Sequence, residues 1–141
     1  MANRNTVFID TSGWIAVLNA DDVLYEPACR RLVELGVERR PLLTTDWILA
    51  ETGNGLARTG ARLRFADAVR RFLASPHCHL VQVDAGLFDR ALTLYHQIED
   101  KSWGLVDCAS FIVMQEQGIV DAFTSDRHFV QAGFHCLLSI A

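Results

Sequence analysis

Five short apolar runs, separated by segments of helical periodicity, set the strongest limit on how this chain folds. Thr6-Val7-Phe8-Ile9, Leu42-Leu43-Thr44, His79-Leu80-Val81-Gln82-Val83, Val120 to Thr124 and His135 to Leu138 read as strands. None is joined to the next by a two-residue hairpin turn. Between them the pattern predicts helices. Thr11 or Ser12 caps the first, which Trp14 opens, and the second spans 24–36 with Gly36 as its stop. A third runs from a Thr45 or Asp46 cap to about Ala57, a fourth over 61–74, and a fifth from Asp84 through Leu87, Ala91, Leu94 and Ile98. A sixth covers 105–117 up to Gly118, and a short one lies near 127–132. Alternating strand and helix requires an α/β domain, with a mainly parallel central sheet of about five strands flanked by helices on both faces.

Half of the 141 residues are apolar and no Pro/Gly/Ser-rich linker divides them, so residues 1–141 are expected to form one domain. The apolar runs are too short to cross a bilayer, and no apolar leader follows Met1, so a cytoplasmic location is expected. Cys29, Cys78, Cys108 and Cys136 form no Cys-x-x-Cys, which argues against zinc ribbons and redox motifs and for reduced core thiols.

Four acids stand inside or at the end of apolar runs: Asp10, Glu51, Asp107 and Asp126. A carboxylate held away from water costs several kcal/mol unless it neutralises, pairs or binds a metal. No Lys or Arg lies within three residues of Asp10, Glu51 or Asp107. Any one of them is explained by a cap or by solvent; together they point to a shared cation. In a parallel sheet, ligands bind at the carboxyl ends of strands where the strand order reverses. Asp10 and Asp126 follow strands, Asp107 opens a helix, and Glu51 shares a face with Trp47 and Ile48 that is expected to point inward.

The net charge is −4, but residues 30–71 hold nine of the thirteen basic groups against five acids, leaving that segment at +4 and the remainder at −8. Nearly all the basic residues are Arg, whose planar fork matches phosphate oxygens. For Arg58 to Arg71, which includes Arg62 and Arg64, phosphate tracking is the favoured reading; for Arg30 to Arg40 a solvated surface stands equal to it.

The stretches Phe8-Ile9-Asp10-Thr11-Ser12-Gly13-Trp14, Leu49-Ala50-Glu51-Thr52, Asp100 to Ser110 and Thr124-Ser125-Asp126-Arg127-His128-Phe129 resemble, in order and spacing, the PIN-domain ribonucleases. Within these the chain is most similar to the VapC-type toxins, over essentially its whole length. It departs from the common pattern at Val106, where Thr or Ala usually stands, and keeps all four acids.

The resemblance implies a PIN-like single domain and a metal-dependent endoribonuclease that leaves 5′-phosphate and 3′-hydroxyl ends. It implies a Mg²⁺ or Mn²⁺ cofactor, with Asp10 and Asp107 as main ligands and Asp126 and Glu51 completing the shell directly or through water. At least one of four clustered acids is then expected to have a raised pKa. Ser12 and Ser125 are candidates to orient the acids, and Asn54 to hold Glu51. His128 reads either as a phosphate contact or as a surface residue, and Trp103 as core or as a base-stacking platform. The implied partners are an RNA substrate, a small antitoxin protein and a second copy of the chain in a homodimer.

Two other readings compete. A phosphatase-type phosphoryl-transfer domain would use Asp10 as nucleophile but wants a second Asp where Ser12 stands. A non-catalytic PIN-like module would bind RNA or protein without cleaving it, and would have no use for desolvated like charges.

Overall fold

A computed structural model describes residues 3–139. In chain order the elements are β1 (Val7–Ile9), α1 (Thr11–Leu18), α2 (Tyr25–Val37), β2 (Leu42–Thr45), α3 (Asp46–Leu56), α4 (Arg62–Ala74), β3 (Cys78–Val81), α5 (Ala85–Gln97), α6 (Leu105–Gln117), β4 (Asp121–Phe123), α7 (Arg127–Gln131) and β5 (His135–Cys136). The sheet runs β3-β2-β1-β4-β5, and every pairing is parallel. From β1 the chain steps outward through β2 to β3, then returns to β4 on the other flank. The order therefore reverses between β1 and β4. With right-handed crossovers, that reversal sends α1 to α4 to one face and α5 and α6 to the other; the helices pack in those two groups.

Val7 and Phe8 are fully buried because helices cover both sides of β1. Phe8, Phe111, Phe123 and Phe129 anchor the core. Phe111 meets Phe129 edge-on at 4.9 Å, a geometry worth about 0.5–1.5 kcal/mol beyond simple burial. Gly13 is what allows α1 to lie this close to β4. A Cβ there would collide with the Phe123 carbonyl oxygen and come within 2.6 Å of its ring.

Several boundaries differ from the sequence reading, each for a local reason. Helix α2 continues through Gly36; Arg39, in a left-handed conformation at φ 56°, ends it while the Arg40 N–H returns to the Leu35 carbonyl. Strand β3 stops at Val81 because the Val83 N–H turns to the Asp46 carboxylate instead of its neighbour strand. Neither Thr11 nor Ser12 caps α1. Asp10 occupies that position without a capping hydrogen bond, and both hydroxyls are used elsewhere. By contrast Thr45 and Asp84 cap α3 and α5 as expected, accepting from Ile48 N–H and Leu87 N–H. Gly118, left-handed at φ 68°, closes α6.

Candidate metal centre

Asp10 lies where β1 ends and α1 begins, at the point of strand-order reversal, and only 4% of it is exposed. Its backbone N–H reaches across to the Phe123 carbonyl of β4 at 3.3 Å. The side chain is held by hydroxyls: Thr124 Oγ1 donates to Asp10 Oδ2 at 2.9 Å, and Ser12 Oγ lies 3.2 Å from the same oxygen. Ser12 Oγ is also 2.9 Å from Thr124 Oγ1 and accepts the Ser125 N–H. Thr124 Oγ1 in turn accepts the Asp126 N–H at 3.0 Å. One hydroxyl pair thus ties the loop after β1 to the loop after β4.

Burial is the main force on Asp10, raising its pKa from 3.8 to about 6. The Thr124 hydroxyl and Thr11 backbone pull it down, and the carboxylates of Asp107 and Asp126 push it up again. Asp107, in the first turn of α6, is raised too, chiefly by burial. Hydrogen bonds from the Gly104 N–H at 3.1 Å and from His128 oppose that rise, and the Asp126 charge adds to it. Asp126 caps the five-residue α7, accepting the His128 N–H at 2.9 Å.

His128, read from sequence as a phosphate contact or a surface residue, stands against two of the acids. Its Nδ1 stands 3.0 Å from Asp107 Oδ2 and 3.5 Å from Asp126 Oδ1, and its Nε2 is 3.1 Å from Ser102 Oγ. Ligand atoms of Asp107, Asp126 and His128 all lie within 4.8 Å of one another. No Lys or Arg pairs with Asp10, Glu51, Asp107 or Asp126 among the described residues.

Glu51 corrects an expectation. The buried line of α3 is Ile48, Thr52 and Leu56, four residues apart, and Glu51 lies one position off it and is exposed. Thr11 Oγ1 nevertheless donates to Glu51 Oε1 at 2.6 Å, which fixes the carboxylate beside the residue that follows Asp10. Asn54, expected to hold Glu51, is exposed and does not. The Ser125 side chain, a candidate to orient Asp126, makes no hydrogen bond among those described, whereas Thr124 joins Asp10 to the Asp126 backbone. Thr124 was missed, although a Thr ending a buried strand two residues before an acid was there to be read. Trp103 packs edge-on against Phe111 at 4.8 Å and donates to Gln131, which holds it half-buried against the core.

Arg62 and Arg64 are not brought to the carboxylates. Helices α1 and α3 run side by side, with Thr11 against Glu51, Ile15 against Gly55, and Asn19 in one hollow with Thr59. Arg58 and Arg64 line that last hollow, two helical turns from Thr11, roughly 12 Å along the helix. Arg62 Nη1 donates to the Ala57 carbonyl at the end of α3.

The donor set fits a hard divalent cation: clustered carboxylates without a counter-charge, two held protonated to higher pH by burial, and one imidazole nitrogen. The PIN domain profile matches residues 7–135. The chain is 33% identical over 130 residues to the "23S rRNA-specific endonuclease VapC20" of Mycobacterium tuberculosis, in strains CDC 1551 / Oshkosh and H37Rv, covering 91% of this chain and 95% of the relative. The crystal structure of Mycobacterium tuberculosis VapC20, described as a sarcin-ricin loop cleaving toxin, superposes with a TM-score of 0.80 at 30% identity over the same shares. VapBC2 from Rickettsia felis, solved bound to a DNA fragment from its promoter, shares the fold, with a TM-score of 0.67 at 14% identity over 95% of this chain and 98% of that one.

Proposed function

This chain belongs to the PIN-domain family, and on that premise we propose that it is a divalent-metal-dependent endoribonuclease, the toxin of a toxin–antitoxin pair. The observation that carries the reading is Asp10: almost fully buried, facing two further carboxylates, with no Lys or Arg paired to any of them. A purely structural cluster is expected to draw its cation from the chain; this one would draw it from solution. Asp107 and Asp126 would hold a Mg²⁺ or Mn²⁺ ion, with Asp10 behind them and Glu51 at the rim completing the shell directly or through water. When bound, such an ion neutralises charge at the scissile phosphate and lowers the pKa of a bound water. Thr124 and Ser12 keep Asp10 in one orientation, and His128 with the Gly104 N–H does the same for Asp107.

The relatives named for 23S rRNA and for its sarcin-ricin loop support a structured ribosomal RNA loop as the substrate, recognised by shape and unstacked bases. An antitoxin would occupy the cavity of about 490 Å³ between α1, α2 and α4. Trp14, Val17, Leu32 and Phe72 line it, and it opens beside the exposed Val33. Its floor residues Ile9 and Phe123 adjoin the carboxylates, so one amphipathic helix with a trailing Arg or Lys would cover both. A homodimer is the expected assembly, checked by light scattering.

The deciding experiment incubates ribosomal RNA with the purified chain in Mg²⁺, Mn²⁺ or EDTA. Metal-dependent cutting that Asp10→Asn abolishes supports the reading. RNA binding without cutting in any metal would leave a binding module, and an acid-labile phosphoenzyme would leave a phosphatase.

A further inference from the structure

We propose that His128 Nδ1 is itself a ligand of the cation held by Asp107 and Asp126, and that this nitrogen gives the centre a preference for Mn²⁺ over Mg²⁺. The proposal rests on the metal-dependent reading above and adds to it a donor and a choice of metal.

The geometry is the first support. Donors cis to one another on an octahedral ion with ~2.1 Å bonds lie ~3.0 Å apart. Nδ1 is 3.0 Å from Asp107 Oδ2 and 3.5 Å from Asp126 Oδ1, close to the spacing of cis donors, and the three donor atoms all lie within 4.8 Å of one another. They form the one group of this kind among the described residues, and Asp10 and Glu51 lie outside it.

The ring is also held for that task. Its backbone N–H is tied to Asp126 Oδ1, and Ser102 Oγ stands 3.1 Å from Nε2. When Ser102 accepts the Nε2–H, the Nδ1 lone pair faces two carboxylates. A bound cation would then take the place of the proton through which Nδ1 otherwise donates to Asp107. A partner fixing the far nitrogen is how ligating histidines are ordinarily oriented.

The choice of metal follows from the donor. Mg²⁺ prefers oxygen and parts reluctantly with water, whereas imidazole nitrogen suits transition ions, Mn²⁺ among those that also accept carboxylates. An all-carboxylate centre would discriminate less between the two.

The test uses the full chain stripped with EDTA and titrated with Mn²⁺ alone. Pulsed electron paramagnetic resonance should show coupling of the bound Mn²⁺ to a nitrogen nucleus, absent in His128→Ala. Calorimetry with each metal should show the Mn²⁺-over-Mg²⁺ preference falling about tenfold in that variant, while Ser102→Ala keeps the coupling and loses part of the preference. Because the spectrum of the unaltered chain answers on its own, a poorly folded variant does not blunt the test. Bound Mn²⁺ with an oxygen-only signature would overturn this inference and leave the carboxylate reading standing. Absence of binding by either metal would overturn both.

Discussion

The strand pair β1 and β4 has acids at both ends, and the two ends are opposites. At the amino end, Asp121 accepts from Arg40 Nη2 at 2.6 Å and stands 2.8 Å from His135 Nδ1. Burial pushes its pKa up, but the hydrogen bonds and charges of Arg40 and His135 outweigh it and hold the carboxyl below its ordinary value. At the carboxyl end, burial prevails over hydroxyl and backbone donors, and Asp10 and Asp107 are pushed up. The same residue type is a structural clamp where the chain supplies its counter-charge and a candidate reactive centre where it does not.

The sharpest way to break this contrast is to remove charge from the uncompensated end. Asp10→Asn and Asp107→Asn are each expected to lower RNA cleavage by roughly 10³-fold or more, the loss of several kcal/mol of charge stabilisation. Stability should move the other way. With a pKa of about 6 against 3.8 unfolded, Asp10 binds its proton more tightly in the native state. Its contribution therefore falls as pH rises from about 4 through 6, by up to about 3 kcal/mol, and stays low above. Urea denaturation in EDTA should find Asp10→Asn more stable than the parent at pH 7.5 and equal to it near pH 3.5. Full activity, or a parent-like pH slope, would end the contrast.

Thr124→Val tests how the uncompensated end is organised. The change keeps shape and removes the hydroxyl that joins Asp10 to the Asp126 backbone. Cleavage should fall about 10–100-fold, the usual cost of losing a partner behind a metal ligand. Since that hydroxyl lowers the Asp10 pKa, the acid limb of the rate profile should also shift upward. A fall in rate with an unmoved limb would mean that Thr124 serves packing alone.

The compensated end should respond in stability only. Arg40 is 13% and Asp121 19% exposed in their side chains, between the surface and buried cases, so Arg40→Met should cost roughly 1–3 kcal/mol. Asp121 has a depressed pKa, so the pair's contribution is present above the ordinary carboxylate range and is lost as pH falls through it. Denaturation at pH 7 and pH 3 reads this directly. Cleavage per folded molecule should stay within about twofold, and a larger loss would mean that the two ends are coupled.

What could be read from sequence was whatever local pattern controls. Strand–helix alternation sufficed for the parallel sheet, and the resemblance to PIN-domain ribonucleases is borne out by the profile match and the relatives. The convergence of Asp10, Asp107 and Asp126 followed from topology, since strand ends at a reversal point share one edge. What escaped was pairing at long range. Ser12 and Thr124 are 112 residues apart and meet only because Gly13 lets α1 press onto β4. Glu51 was placed inward because its neighbours Trp47 and Ile48 are large, yet one residue is about 100° on a helix, enough to carry it to the surface. Arg40 read as part of a basic surface, and its pairing with Asp121 across 81 residues left no local trace.

The smallest expected effect concerns Arg62 and Arg64, which belong to neither end of the β1–β4 pair. Arg64 lines the hollow two turns down α1 and α3 from Thr11, roughly 12 Å along the helix, and Arg62 is turned to the end of α3, so neither is expected to hold the phosphate at the carboxylates. Replacing both with Ala should therefore weaken RNA binding without changing the rate at saturating substrate. For single-stranded RNA, each phosphate left without its arginine should flatten the log–log salt dependence by about 0.7. The two residues should not contribute equally. Arg62 already donates to the Ala57 carbonyl at 3.1 Å, where it also closes α3, whereas Arg64 lines an open hollow. Arg64→Ala alone should carry most of the change in slope, and Arg62→Ala should act mainly on stability, by a few tenths of a kcal/mol. Filter binding from about 50 to 300 mM salt separates the two. An unchanged slope in the double variant would return both arginines to the solvated surface and leave the carboxyl edge as the whole of the RNA site.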